Sequence, residues 1–170
     1  MDKALQELLD KKAIEEVLLR YARTLDWIDV ETHRTVYWPD ADIDYGFFKG
    51  KAEEFVDVVI EVERGTKRRW HGSAGTQIEL HSPTKASAET YGLTSSIANR
   101  DGEGLKGSLI GGRYLDEFDK RNDEWRISKR TYLLEWRTRF EDGCQEMIDG
   151  GFPLNMLEGA DASHSLYRKM

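Results

Sequence analysis

The chain has 170 residues, of which 39% are apolar and 34% charged, and its net charge is −7. That size suits one domain with a modest core. The acidic balance excludes the basic stripe of a nucleic-acid surface and a polybasic membrane patch, and no apolar run is long enough to span a bilayer. The single cysteine, Cys144, can form neither an internal disulfide nor a thiolate metal cage. With no secretory apolar region near Met1, a cytoplasmic location is the expectation.

Residues 2–25 read as a helix, with Leu5, Leu8, Leu9, Ile14, Val17, Leu18, Tyr21 and Leu25 at three- and four-residue steps. Asp10 could re-cap it at a small break. A short second helix is expected over 29–36, ended by Pro39. Residues 42–48 alternate as a short strand. Residues 51–63 then read as a third helix, with Phe55, Val58, Val59 and Val62 on one face.

The period then changes to two. Strands are expected over 70–81, 85–99, 105–119 and 124–139, with Pro83, Arg100-Asp-Gly-Glu-Gly and Arg121-Asn-Asp at the turns. Helices followed by long antiparallel strands argue for an α+β fold. A strongly curved sheet wrapped around the helices would form a cone with a mouth. Residues 1–140 read as one domain and 141–170 as an extension. Met147, Ile148, Phe152, Leu154, Met156 and Leu157 make that extension apolar enough to cover the mouth or a neighbouring subunit.

Chemistry has few candidates. Asp26 ends the first helix beside apolar and aromatic positions; it points inward towards a partner, or it is a solvated helix-end acid. His71 precedes the small-residue run Gly72–Thr76 and could face a pocket or the surface. A carboxylate on one imidazole nitrogen would fix the tautomer and leave the other free to move a proton near neutral pH. Tyr45 could donate to a substrate oxygen or edge the core. Arg130, on alternating strand positions, has a structural role as its default. Asp40-x-Asp42-x-Asp44 is not a calcium loop, because Tyr45 and Lys51 stand where glycine and glutamate are needed. Gly111-Gly112 has no phosphate-loop context. No nucleophile elbow, zinc motif or dinucleotide fingerprint is present. Acid–base chemistry without a metal or cofactor is what remains.

These residues, in this order, resemble the SnoaL-like branch of the nuclear transport factor 2-like superfamily over roughly residues 5–140. Ile14–Asp26 looks like the family's first helix and its terminal aspartate. Ile43-Asp-Tyr45 and Ala52–Val56 are similar to the matching stretch of scytalone dehydratase. His71-Gly-Ser-Ala-Gly-Thr76 has the spacing of that enzyme's histidine segment. Trp125–Arg130 looks like the strand of hexachlorocyclohexane dehydrochlorinase that ends in an arginine. The resemblance implies a cone-shaped α+β barrel with a deep apolar pocket, an Asp26–His71 dyad, and lyase chemistry on aromatic substrates, often in a trimer. It gives Tyr45 a polarising role and Arg130 an anion-steadying one. Tyr21, Trp27, Trp38, Trp70 and Trp136 would line the pocket.

Departures narrow the reaction. Leu25 stands at the place of scytalone dehydratase's second tyrosine, Ala98 near that of its second histidine, and Tyr21 at the dehydrochlorinase's lysine. These point away from scytalone dehydration and dehydrochlorination. They point towards other lyases of the superfamily, such as those that release formaldehyde from lignin-derived diarylpropanes. The alternatives are an isomerase or cyclase of ketosteroid-isomerase type and a non-catalytic binding or assembly module. The expected partners are a small aromatic substrate and further copies of the chain, as a trimer or dimer.

Overall fold

Lys3–Asp26 form helix α1, capped by the Asp2 side chain, which accepts from the Ala4 amide. The computed structural model describes residues 2–100, 103–151 and 159–169. The helix runs unbroken through Asp10, so that residue is no cap. Asp10 is buried and takes hydrogen bonds from Trp125 Nε1 (2.8 Å) and Lys120 Nζ (3.1 Å) on the sheet. Burying a carboxylate is tolerable because both donors meet it. The buried stripe is Ile14, Val17, Leu18, Tyr21 and Leu25. Leu5, Leu8 and Leu9 are exposed.

Asp29 caps a short helix α2, Val30–His33, which tightens into a 3₁₀ turn over Arg34–Val36. The chain then enters strand β1, Tyr37–Asp44. Pro39 therefore lies inside a strand rather than merely ending a helix. Pairing with the sheet lapses between Tyr37 and Asp42, so its missing N–H costs no ladder bond. Strand β2, Lys49–Lys51, pairs back on β1 and leads into helix α3, Ala52–Arg64. The buried face of α3 is Phe55, Val56, Val59, Ile60 and Glu63; Val58 and Val62 face solvent.

Four long strands follow: β3 Arg68–Ser82, β4 Lys85–Arg100, β5 Gly104–Arg121 and β6 Glu124–Glu141. The sheet order is β2-β1-β6-β5-β4-β3, with the β1–β6 pair parallel and the others antiparallel among the described residues. Asn122 and Asp123 adopt the left-handed φ of a two-residue hairpin turn. Register shifts at Ser73/Thr76, Leu80/Ser82, Gly111/Gly112 and Glu117/Phe118 bend the strands. Tyr114, Asp116 and Phe118 of β5 face inward with Ile127 and Arg130 of β6, while Leu115 and Glu117 face out. The curved sheet closes over α1 and α3, giving the α+β architecture expected from the order of elements.

Helix α4 covers Cys144–Asp149. The apolar cover expected from Phe152, Leu154, Met156 and Leu157 lies outside the described residues, as do the side chains of Met147 and Ile148. Residues 159–169 return to the end of α1: Tyr167 Oη donates to Asp29, and the Trp27 ring meets His164 and Tyr167 at 5.9 and 5.7 Å. Among the described residues, no helix is long and apolar enough to cross a membrane.

Phe118 of β5 is fully buried in the core cluster. Phe118→Ala is expected to cost about 3–5 kcal/mol in urea unfolding; a loss below about 1 kcal/mol would show that this face is not the core.

Candidate acid–base site

The end of α1 delivers Asp26 to β3. Its Oδ1 lies 2.8 Å from His71 Nδ1, and its Oδ2 accepts the His71 backbone N–H at 3.3 Å. Two contacts from one carboxylate fix both the ring and the strand carrying it. The His71 side chain is 7% exposed and that of Asp26 22%. The sequence reading pairs these residues, and the structure brings them together.

It also brings a residue that reading missed. Glu63, in the last turn of α3, places Oε1 3.5 Å from His71 Nε2. The imidazole therefore has a carboxylate at each nitrogen. Burial alone would push its pKa down, but the hydrogen bonds and charges of Asp26 and Glu63 outweigh burial and raise it to about 9. His71 is thus an imidazolium at neutral pH.

Arg69 holds this corner in place. Its guanidinium donates to the carbonyls of Leu25 and Asp26 at the end of α1, of Glu63 in the last turn of α3 and Thr66 just after it, and of Ala160 at 2.5 Å in the returning segment. Helix-end carbonyls lack helical partners, and a cation there satisfies them and the helix dipole together.

Inside lies a layer of tyrosines. Tyr21 and Tyr45 share a hydrogen bond of 2.9 Å between their hydroxyls. Tyr45 stacks on Tyr132 at 5.2 Å, Tyr132 meets Tyr114 at 5.0 Å, and Tyr114 meets Tyr21 at 5.4 Å. Gly92 leaves room for this layer, since a Cβ there would sit 2.6 Å from the Tyr114 ring. Burial raises the pKa of Tyr21, Tyr45 and Tyr114, so their hydroxyls stay protonated.

Arg130 is buried at 0% exposure, in a two-pronged ion pair with Asp116 at 2.7 Å for both contacts. Its guanidinium carbon lies 4.3 Å from the Tyr21 ring centre and 4.5 Å from that of Tyr114. It reaches the Tyr37 hydroxyl at 3.4 Å. Far from pointing to solvent, Arg130 is the charge around which the tyrosines are arranged. The interior that the resemblance expects to be a deep pocket is occupied by these rings. Clefts of about 450 and 410 Å³ are lined by other residues, and neither Asp26 nor His71 lines them.

A second histidine is buried here. His33 Nδ1 lies 2.7 Å from Thr24 Oγ1, which in turn donates to the Arg20 carbonyl at 2.7 Å. The His33 Nε2 has no hydrogen-bond partner among the described residues. Burial first, then the charges of Arg130 and His71, lower its pKa to about 3. His33 faces the Tyr21 ring at 5.5 Å, and His71 faces it at 6.4 Å.

The tryptophans lie elsewhere. Trp27 packs on the returning segment. Trp38 donates to the Asp119 carbonyl and sits under Arg121 and Arg126. Trp70 precedes His71 on a strand, so it faces the other side of the sheet, across Gly72. Trp136 lies across Gly111 and is exposed like Trp70. Among the described residues, no three His, Cys, Asp or Glu side chains form a group that could hold a metal ion.

The curved open sheet, the helix-end aspartate and the strand histidine define a small α+β fold with a buried carboxylate–imidazole pair. The profile of the SnoaL-like domain matches residues 6–131, and the chain belongs to that family, within the nuclear transport factor 2-like superfamily. Among solved structures, it is similar to a hexachlorocyclohexane dehydrochlorinase of type 2, at 20% identity and a TM-score of 0.74 over 82% of this chain and 95% of that one. The type 3 dehydrochlorinase of Novosphingobium barchaimii is 19% identical, with a TM-score of 0.72 over 82% and 96%. A putative scytalone dehydratase from Novosphingobium aromaticivorans is 17% identical, with a TM-score of 0.72 over 81% and 92%. No curated protein matches the chain.

Two predictions follow from these charges. Asp116→Asn leaves Arg130 charged and buried without its counter-ion, and should lower stability by about 3–5 kcal/mol in urea unfolding; near-neutral behaviour would show that solvent reaches the pair. The histidines should act on opposite limbs of stability against pH. His71, raised from 6.5 to about 9, contributes stability that is full below pH 6.5 and lost as pH rises to 9. His33, lowered to about 3, is neutral when folded, so stability falls as pH drops from 6.5 towards 3 and the unfolded chain binds the proton. Urea midpoints of His71→Asn should flatten the alkaline limb, and those of His33→Asn the acid limb. Unchanged limbs would contradict the assignment.

Proposed function

We propose that this protein is a cofactor-independent lyase that acts by acid–base catalysis on a small hydroxylated aromatic compound. The reaction is dehydration or carbon–carbon cleavage, such as loss of formaldehyde from a lignin-derived diarylpropane. The observation that carries this reading is the 2.8 Å contact between Asp26 and His71 inside a family fold. Similar structures bear the names dehydrochlorinase and putative dehydratase, which describe eliminations.

In this reading Asp26 holds the His71 ring and balances its charge. His71, cationic at rest, delivers a proton to the departing oxygen or takes one from a substrate hydroxyl after losing its own. Tyr45, protonated and already bonded to Tyr21, offers an O–H to a substrate carbonyl or phenol once a ligand parts the pair. Arg130 steadies developing negative charge through the tyrosine layer, since Asp116 occupies two of its nitrogens. Tyr21 and its neighbours supply the aromatic walls that a flat ligand needs.

Assembly as a homo-oligomer is part of the proposal. It is supported by the exposed apolar side chains of Trp70, Tyr91, Trp136 and Phe140 on long strands. Residence in the cytoplasm is supported by the lone cysteine.

The test is a screen of aromatic alcohols and diols that follows product mass and formaldehyde together. Asp26→Asn and His71→Ala are expected to lower kcat by about 10²–10⁴-fold while the circular dichroism spectrum is retained. Full activity in either folded variant would sink the dyad. A product of unchanged mass would replace elimination by isomerisation.

A further inference from the structure

Asp26 accounts for one nitrogen of His71 and leaves the other unexplained. The groups that face the ring are Tyr21 and Asp26 from α1, His33 from α2, Glu63 from α3, and Arg69 beside both carboxylates on β3. The Glu63 side chain is 10% exposed. A carboxylate so deep is costly unless a cation meets it. His71 meets it in the direction of Nε2.

An imidazolium between two carboxylates carries a proton on each nitrogen, so neither is free to take another. An acid–base group must nevertheless present one nitrogen to its substrate. The two contacts are unequal. Asp26 approaches to 2.8 Å and accepts the backbone N–H of His71 as well, so its departure would give up two hydrogen bonds. Glu63 stands at 3.5 Å, on the final turn of a helix whose end is held through its backbone by Arg69. Its side chain can swing without disturbing that anchor.

We propose that Glu63 is a positioning residue that occupies the working nitrogen of His71 in the substrate-free protein, keeps the ring charged, and gives up Nε2 to an oxygen of the substrate. This rests on the reading of His71 as the acid–base group and adds a constraint on the ligand. The group that replaces a carboxylate at Nε2 must itself accept a hydrogen bond, as a hydroxyl, carbonyl or phenolate oxygen does. An aromatic hydrocarbon without such an oxygen would leave Glu63 in place. Substrate and Glu63 then compete for one proton donor, so the glutamate raises KM in exchange for keeping the proton available.

The experiment is an NMR titration of His71 in the intact protein, with His71→Asn used to assign its signal. In Glu63→Gln the His71 midpoint should fall by about one pH unit or more, while His33 stays neutral as an internal control. On an active substrate, KM should drop in Glu63→Gln, and the alkaline limb of kcat/KM should move down in pH with the NMR midpoint. If Glu63→Gln does not fold, Glu63→Asp withdraws the carboxylate by one methylene and should give a smaller fall in the same direction. A His71 midpoint equal to that of the wild type in a folded variant would overturn the proposal. Because the titration needs no substrate, a lowered midpoint in a protein that turns nothing over would uphold the role of Glu63 and reject the lyase reading alone.

Discussion

The ion pair of Arg130 and Asp116 is the constraint around which the rest of the interior is arranged. A guanidinium at 0% exposure can persist only if its charge and its donors are met. Asp116 does both from the neighbouring strand, and the register that sets Asp116 opposite Arg130 puts them on one face. The remaining surface of the cation is covered by π faces and hydroxyls, which is why Tyr21, Tyr37, Tyr45 and Tyr114 gather there. Aliphatic side chains would fill the same space and leave the charge less well compensated. The tyrosine layer is thus a consequence of the buried cation, and Gly92 and Gly112 are consequences of the tyrosine layer. The glycine pair with no phosphate-loop setting has its reason here, in room for the Trp136 and Tyr132 rings.

Much of this was legible in the chain. The change of period from helical to alternating marks where the helices stop and the four long strands begin, and the Asn122-Asp123 turn carries its own backbone signature. The apolar face of α3 was harder. Phe55, Val58, Val59 and Val62 form a plausible stripe, but Ala52, Phe55, Val56, Val59, Ile60 and Glu63 form a fuller one at the same steps. Choosing the second stripe would have turned Glu63 inward and exposed its role. Asp116 carried a signal of the same kind, an acid on the alternating inner face between Tyr114 and Phe118. The helical segment does stop before Pro39, but the strand that contains Pro39 is not marked locally, because the lapse in pairing that admits it is a property of the partner strand. Nothing local marks His33, whose setting depends on Thr24 and on rings from distant segments.

The Asp26–His71 pair shows the limit of local reading most clearly. Forty-five residues separate its members, and no periodicity connects a helix end to the start of a strand. The order of motifs along the chain suggested the pair. The geometry then added what motif order could not hold: a second carboxylate at Nε2, and an arginine that ties two helix ends to the returning segment. With those added, the histidine is a cation held between two carboxylates rather than a free base.

His71 and His33 both lie against one ring, that of Tyr21, and their environments drive them to opposite charge states. Two carboxylates keep one histidine protonated. Burial and the positive charge of Arg130 keep the other neutral, with an unshared nitrogen. Pairs of titratable groups pushed apart in this way are a common means of holding acid and base side by side without mutual neutralisation. Here the separation is set by the same features that stabilise the fold. The cation that depresses His33 is the one that organises the tyrosines, and the helix end that delivers Asp26 is the one that Arg69 fastens. A change that loosens the core at Arg130 therefore reaches the charge of His33 as well, and one that frees the end of α1 reaches the charge of His71. Stability and proton placement in this fold rest on the same contacts.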